Sequence, residues 1–158
     1  MPKTVIFMRH GKAADISDYA NDFDRPLVIR GIEEAALAAE KLRIVGIIPD
    51  FIIASPAQRT KDTAQSVCKI FGRDRHDFIT EISLYGGSFF DYLDAIAKYD
   101  YPNIMLIGHN PEIGRLSMHY SKNEIHSFPT SSCAAFRFES LQPDKNSIAE
   151  LLYYDLRK

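Results

Sequence analysis

The stretch Val5-Ile6-Phe7-Met8-Arg9-His10-Gly11 runs apolar for four residues and then stops on an arginine, a histidine and a glycine. With Thr4 ahead of it, this short apolar run predicts a strand buried on both faces rather than one with an alternating solvated side. Two other runs repeat the pattern. Phe51-Ile52-Ile53-Ala54 leads into Ser55-Pro56-Ala57-Gln58-Arg59, and Ile104-Met105-Leu106-Ile107 leads into Gly108-His109-Asn110-Pro111. Open α/β sheets bind ligands outside the carboxyl ends of their strands, so the three junctions are expected to meet in one crevice.

The segments between these strands read as helices. Ile32, Ala35, Ala36, Ala39, Leu42 and Val45 recur at helical spacing over 31–45, as do Ala57, Thr60, Ala64, Val67, Cys68 and Phe71. Ser55-Pro56 and Asn110-Pro111 each offer an N-cap residue followed by proline at the first helical position. Ser88 with Asp91 three residues on resembles a capping box that opens a third helix through Phe89, Phe90, Leu93 and Ile96. Apolar runs at 134–138 and 148–154, separated by the polar turn Gln142-Pro143-Asp144-Lys145-Asn146, predict an antiparallel pair. The expected fold is α/β: a three-layer sandwich around a mostly parallel sheet with an antiparallel edge.

Composition narrows the function. The 158 residues are 46% hydrophobic and 25% charged, the balance of a globular protein, and no linker divides them, so one domain over 1–158 is expected. Nineteen Lys and Arg against 21 Asp and Glu leave no global field to draw in nucleic acid or an anionic membrane, so neither is an expected partner. The apolar run after Met1-Pro2-Lys3-Thr4 is too short for a signal-peptide core. The longest apolar stretch, 42–54, is broken by Arg43, Gly46, Pro49 and Asp50 and falls short of a membrane span. Cys68 and Cys133 lack the close pairing of a redox or zinc motif and read as reduced core residues. A cytoplasmic setting is expected.

An anion must therefore be caught locally. Arg9, Arg59, His10, His109 and two helix N-termini would meet at the crevice, and forked guanidinium donors beside free helix N–H groups suit phosphate. His76, His119 and His126 have no such placement and receive no role; Tyr19, Tyr85, Phe89 and Phe90 read as packing or pocket rim. His10 and His109 with nearby carboxylates could instead hold a metal, but the arginines would repel a cation there, so no metal and no cofactor is expected.

Four ordered segments carry a more specific signal: Arg9-His10-Gly11, then Asp22-Phe23-Asp24-Arg25-Pro26-Leu27 leading to Gly31, then Ser55-Pro56-Ala57-Gln58-Arg59 with Thr63-Ala64, and Gly108-His109-Asn110-Pro111. Together they resemble the histidine phosphatase, or phosphoglycerate-mutase-like, superfamily, and within it the short SixA-type phosphohistidine phosphatase branch. Lys61 and Asp62, and Val28-Ile29, depart from the common pattern but only flank the matched residues. The resemblance implies that His10 is the nucleophile, that Arg9, Arg25 and Arg59 bind phosphate, and that His109 is a second catalytic histidine facing the phosphoryl group.

It also implies a phosphorylated protein substrate, with a histidine phosphotransfer domain as the expected partner. Relatives acting on alkoxide leaving groups use a glutamate acid; Glu81 is the nearest candidate here, and is equally readable as a surface residue at a strand start. A phosphorylated imidazole leaves more easily than an alkoxide, which favours phosphohistidine. The alternatives are a phosphatase of small phosphate esters and, from another class, a non-catalytic phosphoprotein-binding module.

Overall fold

β1 (Lys3–Arg9) lies in the interior of a six-stranded sheet in the computed structural model, which describes residues 1–155. Residues 156–158 of the expected domain lie outside the described residues. The other strands are β2 (Phe51–Ala54), β3 (Ile79–Thr80), β4 (Asn103–Gly108), β5 (Cys133–Phe138) and β6 (Ala149–Asp155), in the order β3-β2-β4-β1-β5-β6. β3, β2, β4 and β1 run parallel; β5 is antiparallel to both β1 and β6. The mostly parallel sheet with an antiparallel edge is the one expected from the sequence. Among the described residues, no helix is long and apolar enough to cross a membrane.

Successive side chains of a strand point to opposite faces, and here both faces are covered. Val5 and Phe7 join Leu106 and Phe136 in one core, under α3 (Phe89–Ala97) and α4 (Glu112–Tyr120). Ile6 and Met8 join Met105 and Ile107 in the other, under α1 (Ile29–Ile44) and α2 (Gln58–Ile70). This double burial explains why the strands read as unbroken apolar runs. Cys68 and Cys133 both sit in the second core as buried thiols.

Helix starts differ in detail from the expectation. Ser88 and Asp91 do form a reciprocal capping box on α3. At α2, however, Ala57 holds the N-cap position and the helix begins at Gln58, so Ser55-Pro56 precedes the helix rather than opening it. At α4, Pro111 holds the N-cap and Glu112 is the first helical residue; Asn110 still accepts from Gly114 N–H through its side-chain oxygen, one position early. Glu81 does not start a strand: β3 ends at Thr80, and Glu81 leads into a 3₁₀ turn, Ile82–Leu84.

Two glycines set how closely the loop after β1 approaches α1. A Cβ on Gly11 would lie 2.7 Å from Gly31 O, and one on Gly31 would lie 2.2 Å from Lys12 O. Both contacts are with backbone, so any side chain would push the Arg9–His10 junction away from the helix.

At the opposite end of β1, Lys3 is fully buried and its ammonium donates to Ile96 O (3.0 Å) and Tyr99 O (2.6 Å). Burial pushes its pKa down, against the opposing pull of Asp100. These carbonyls lie where α3 ends, where helix carbonyls lack helical partners. Lys3→Met is therefore expected to destabilise the protein by about 1–3 kcal/mol, read as a lower melting temperature, with activity per folded molecule unchanged.

Candidate active site

The junctions after β1, β2 and β4 do converge. Arg9, His10, Arg25, Arg59 and His109 all line one cleft of about 690 Å³ at the carboxyl ends of the parallel strands. The backbone there is pinned on several sides. His10 N–H donates to Gly108 O (3.1 Å), Ser131 N–H donates to His10 O (3.0 Å), and Arg9 N–H donates to Ser132 O (3.1 Å). Gly11 N–H donates to Thr63 Oγ1 (3.0 Å), whose hydroxyl donates to Arg59 O (2.7 Å), so one α2 threonine ties the first junction to the second.

His10 is 8% exposed and its Nδ1 lies 2.7 Å from Gly11 O. A carbonyl only accepts, so Nδ1 carries the proton and Nε2 keeps its lone pair. Burial pushes the His10 pKa down to about 3; the Gly11 hydrogen bond opposes this, while His109, Arg59 and Arg9 add to it. His109 stands beside it, ring centroids 5.3 Å apart, with Nε2 2.7 Å from Ser55 Oγ and Nδ1 3.4 Å from Arg59 Nη2. Arg59 can only donate, which makes Nδ1 the acceptor and Nε2 the donor to Ser55. Burial, then Arg59, bring the His109 pKa down to about 4.

The arginines are held by different partners. Arg9 donates through Nη1 to Phe128 O (3.3 Å), and Arg59 through Nη1 to Asp22 O and Nη2 to Asp22 Oδ2, both 2.9 Å. Among the described residues, the Nε–H groups of Arg9 and Arg59 are buried without an acceptor. Burial and then neighbouring Arg59 push the Arg9 pKa down, a sign of two cations held close. Buried donors without partners are costly. Arg25 donates through Nε and Nη2 to Asp22 Oδ1 and through Nη1 to Ala14 O (2.9 Å).

A family model described as the histidine phosphatase superfamily (branch 1) matches residues 5–83. An uncharacterised protein of Picosynechococcus is 32% identical over 112 residues, covering 70% of this chain and 68% of the relative. The chain belongs to the histidine phosphatase superfamily. The phosphohistidine phosphatase SixA of Escherichia coli is 28% identical over 134 residues, 83% of this chain and 82% of the relative. The structure assigned as the phosphohistidine phosphatase SixA of Agrobacterium tumefaciens superposes with a TM-score of 0.83 at 27% identity, covering 99% of both chains. This histidine phosphatase is thus a SixA-like phosphatase with the phosphoglycerate-mutase-like fold.

Several cleft groups of this histidine phosphatase were not singled out by sequence. Tyr85, read as rim, donates to Asp22 Oδ2 (2.9 Å) and packs against His109 with ring centroids 5.7 Å apart. Asp22, Lys12 and Glu112 also line the cleft, and Ser55 orients His109. Asp22 stood inside a matched segment, but nothing in its spacing separated it from Asp24. Glu81 does not line the cleft; its carboxylate accepts from Tyr99 Oη (2.6 Å) and Lys98 Nζ (3.0 Å), which hold its pKa below the usual value. It is therefore a partly buried structural residue outside the cleft. Among the described residues, no group of three His, Cys, Asp or Glu is placed to hold a metal ion.

The two buried imidazoles couple stability to pH. Both fold with pKa values below the ordinary 6.5, so between about pH 4 and 6.5 the unfolded chain binds more protons than the folded one. Their contribution is complete above pH 6.5 and is lost as pH falls through that value toward the folded pKa values. The melting temperature is expected to fall between about pH 7 and pH 4, and to fall less in His10→Gln. An equal fall in both would remove His10 from this account.

Proposed function

We propose that the protein hydrolyses phosphohistidine carried on another protein, through a transient phosphohistidine on His10. The observation that carries this reading is the His10 imidazole: neutral by burial, fixed by Nδ1–H on Gly11 O, and set in one cleft with Arg9 and Arg59. The Nε2 lone pair attacks phosphorus in line and the N–P bond to the substrate imidazole breaks, its electron pair leaving with that nitrogen, which takes a proton from solvent water. Water then attacks the phosphoryl group on His10, releasing inorganic phosphate and restoring the imidazole. Arg9 and Arg59 stabilise charge on the phosphoryl oxygens, Arg25 supports them from its pairing with Asp22, and His109, its two nitrogens held by Arg59 and Ser55, lines the cleft beside His10.

Several features support the substrate class. Glu81 is turned away to Tyr99 and Lys98, so the acid sought for alkoxide leaving groups is missing from that position. The likeness to the phosphohistidine phosphatase SixA of Escherichia coli points the same way. We assign the activity to one domain over 1–158 in the cytoplasm, with a histidine phosphotransfer domain as the partner, without a metal or other cofactor. The test is hydrolysis of a phosphohistidine-bearing protein beside a panel of small phosphate esters, with preference for the protein expected.

A second reading, hydrolysis of small phosphate esters, has one specific support: Glu112, in the first turn of α4, places a carboxyl on the cleft wall that could protonate an alkoxide. Preference for an ester, lost in Glu112→Gln, would replace the phosphohistidine assignment.

A further inference from the structure

Asp22 is the carboxylate that joins the two sides of the cleft. Its Oδ1 accepts from Arg25 Nε (3.1 Å) and Nη2 (2.6 Å), and its Oδ2 accepts from Arg59 Nη2 and Tyr85 Oη, both at 2.9 Å. Its main-chain oxygen takes a further bond from Arg59 Nη1. One carboxylate thus holds both guanidinium groups that come from outside β1, in the charge-assisted geometry a phosphoryl group would also use. Burial works against its ionisation, but bonds from Arg25, Tyr85 and Arg59 hold its pKa well below the usual carboxylate range.

The charge of the cleft gives this contact a consequence. Arg9, Lys12, Arg25 and Arg59 face Asp22 and Glu112, and both imidazoles are neutral, which leaves a surplus of two positive charges. That surplus matches a phosphoryl dianion. Without Asp22 it would be three, set around a product that must leave after every turnover. Fixed charges a few ångströms apart in a partly enclosed cleft interact strongly, so one extra positive charge would hold inorganic phosphate markedly tighter.

Resting on the phosphatase reading above, we propose that Asp22 is a positioning residue of Arg25 and Arg59 whose negative charge sets how readily inorganic phosphate leaves the site. It acts through the two arginines rather than on the reacting atoms. The side chain is 42% exposed, on the 3₁₀ turn Asp22–Asp24, so an asparagine fits without disturbing a core. Asparagine also keeps an oxygen for Arg25 while removing the charge.

The experiment is calorimetric titration of wild type, Asp22→Asn and Asp24→Asn with inorganic phosphate, together with steady-state product inhibition. In Asp22→Asn the dissociation and inhibition constants for phosphate are expected to fall roughly tenfold and KM to fall with them, while kcat does not rise. Asp24, exposed and outside the cleft, carries the same charge, and its asparagine variant is expected to bind phosphate much as wild type does. A merely structural role predicts the opposite sign, weaker phosphate binding and a higher KM, because loosened arginines hold the anion less well. Unchanged or weaker phosphate binding in Asp22→Asn, or equal tightening in Asp24→Asn, would overturn the proposal and leave the phosphatase reading standing. Wild-type protein that fails to bind phosphate at all would overturn both.

Discussion

His10→Ala is expected to lower turnover of a phosphohistidine-bearing protein by on the order of 10⁴-fold or more, with the protein still folded. The size of the effect follows from the kind of group removed. In the proposed mechanism the nucleophile has no substitute in the cleft: His109 presents Nδ1 to Arg59 and uses Nε2 on Ser55, so its lone pair is not free for attack. The fold should survive because the Arg9–His10 junction is held mainly by backbone bonds, from His10 N–H to Gly108 O and from Ser131 N–H to His10 O, which alanine keeps. Circular dichroism and a melting curve beside the kinetics separate the two effects. Activity near that of wild type in the folded variant would remove His10 from the mechanism.

Arg59→Ala is expected to lower kcat/KM by about 10³-fold, the scale for losing a preorganised donor that meets developing charge. Arg59 is 6% exposed and bonds both Asp22 and His109, so its loss removes a phosphate ligand of the proposed mechanism and unsettles two neighbours. Arg59→Lys is expected to remain at least about tenfold impaired, because an ammonium keeps the charge but cannot bond Asp22 through two forked nitrogens. Full recovery with lysine would mean that charge alone matters at this position. Steady-state kinetics of the two variants beside wild type decides it.

Much of this arrangement was legible in the sequence because it is built at strand ends. The runs ending at Met8, Ala54 and Ile107 are apolar throughout, since each strand is covered on both faces, and the change to polar residues marks the cleft edge. Arg9, His10, Arg59 and His109 follow directly from those edges. Arg25 came only from the family resemblance, because it stands on a loop between β1 and α1 with no strand to place it.

Contacts between loops distant in the chain were not legible. Asp22 meets Tyr85 across 63 positions, and Ser55 meets His109 across 54; no periodicity encodes either pair. Glu81 stayed open between two readings for a related reason: the partners that hold it, Lys98 and Tyr99, lie 17 and 18 positions away, just past α3. Proline signals marked where α2 and α4 begin to within two residues, yet the chain uses Ser55 to orient a histidine instead of capping a helix.

The most direct test of the central claim is rapid-quench labelling. Enzyme is mixed with protein substrate bearing ³²P-phosphohistidine, quenched in alkali, and separated from the substrate by size. The account predicts a transient label on wild-type enzyme that is stable to alkali, labile to acid, located at His10 and absent from His10→Ala. Hydrolysis of the substrate with no label on the enzyme, or with label on another residue, would contradict it.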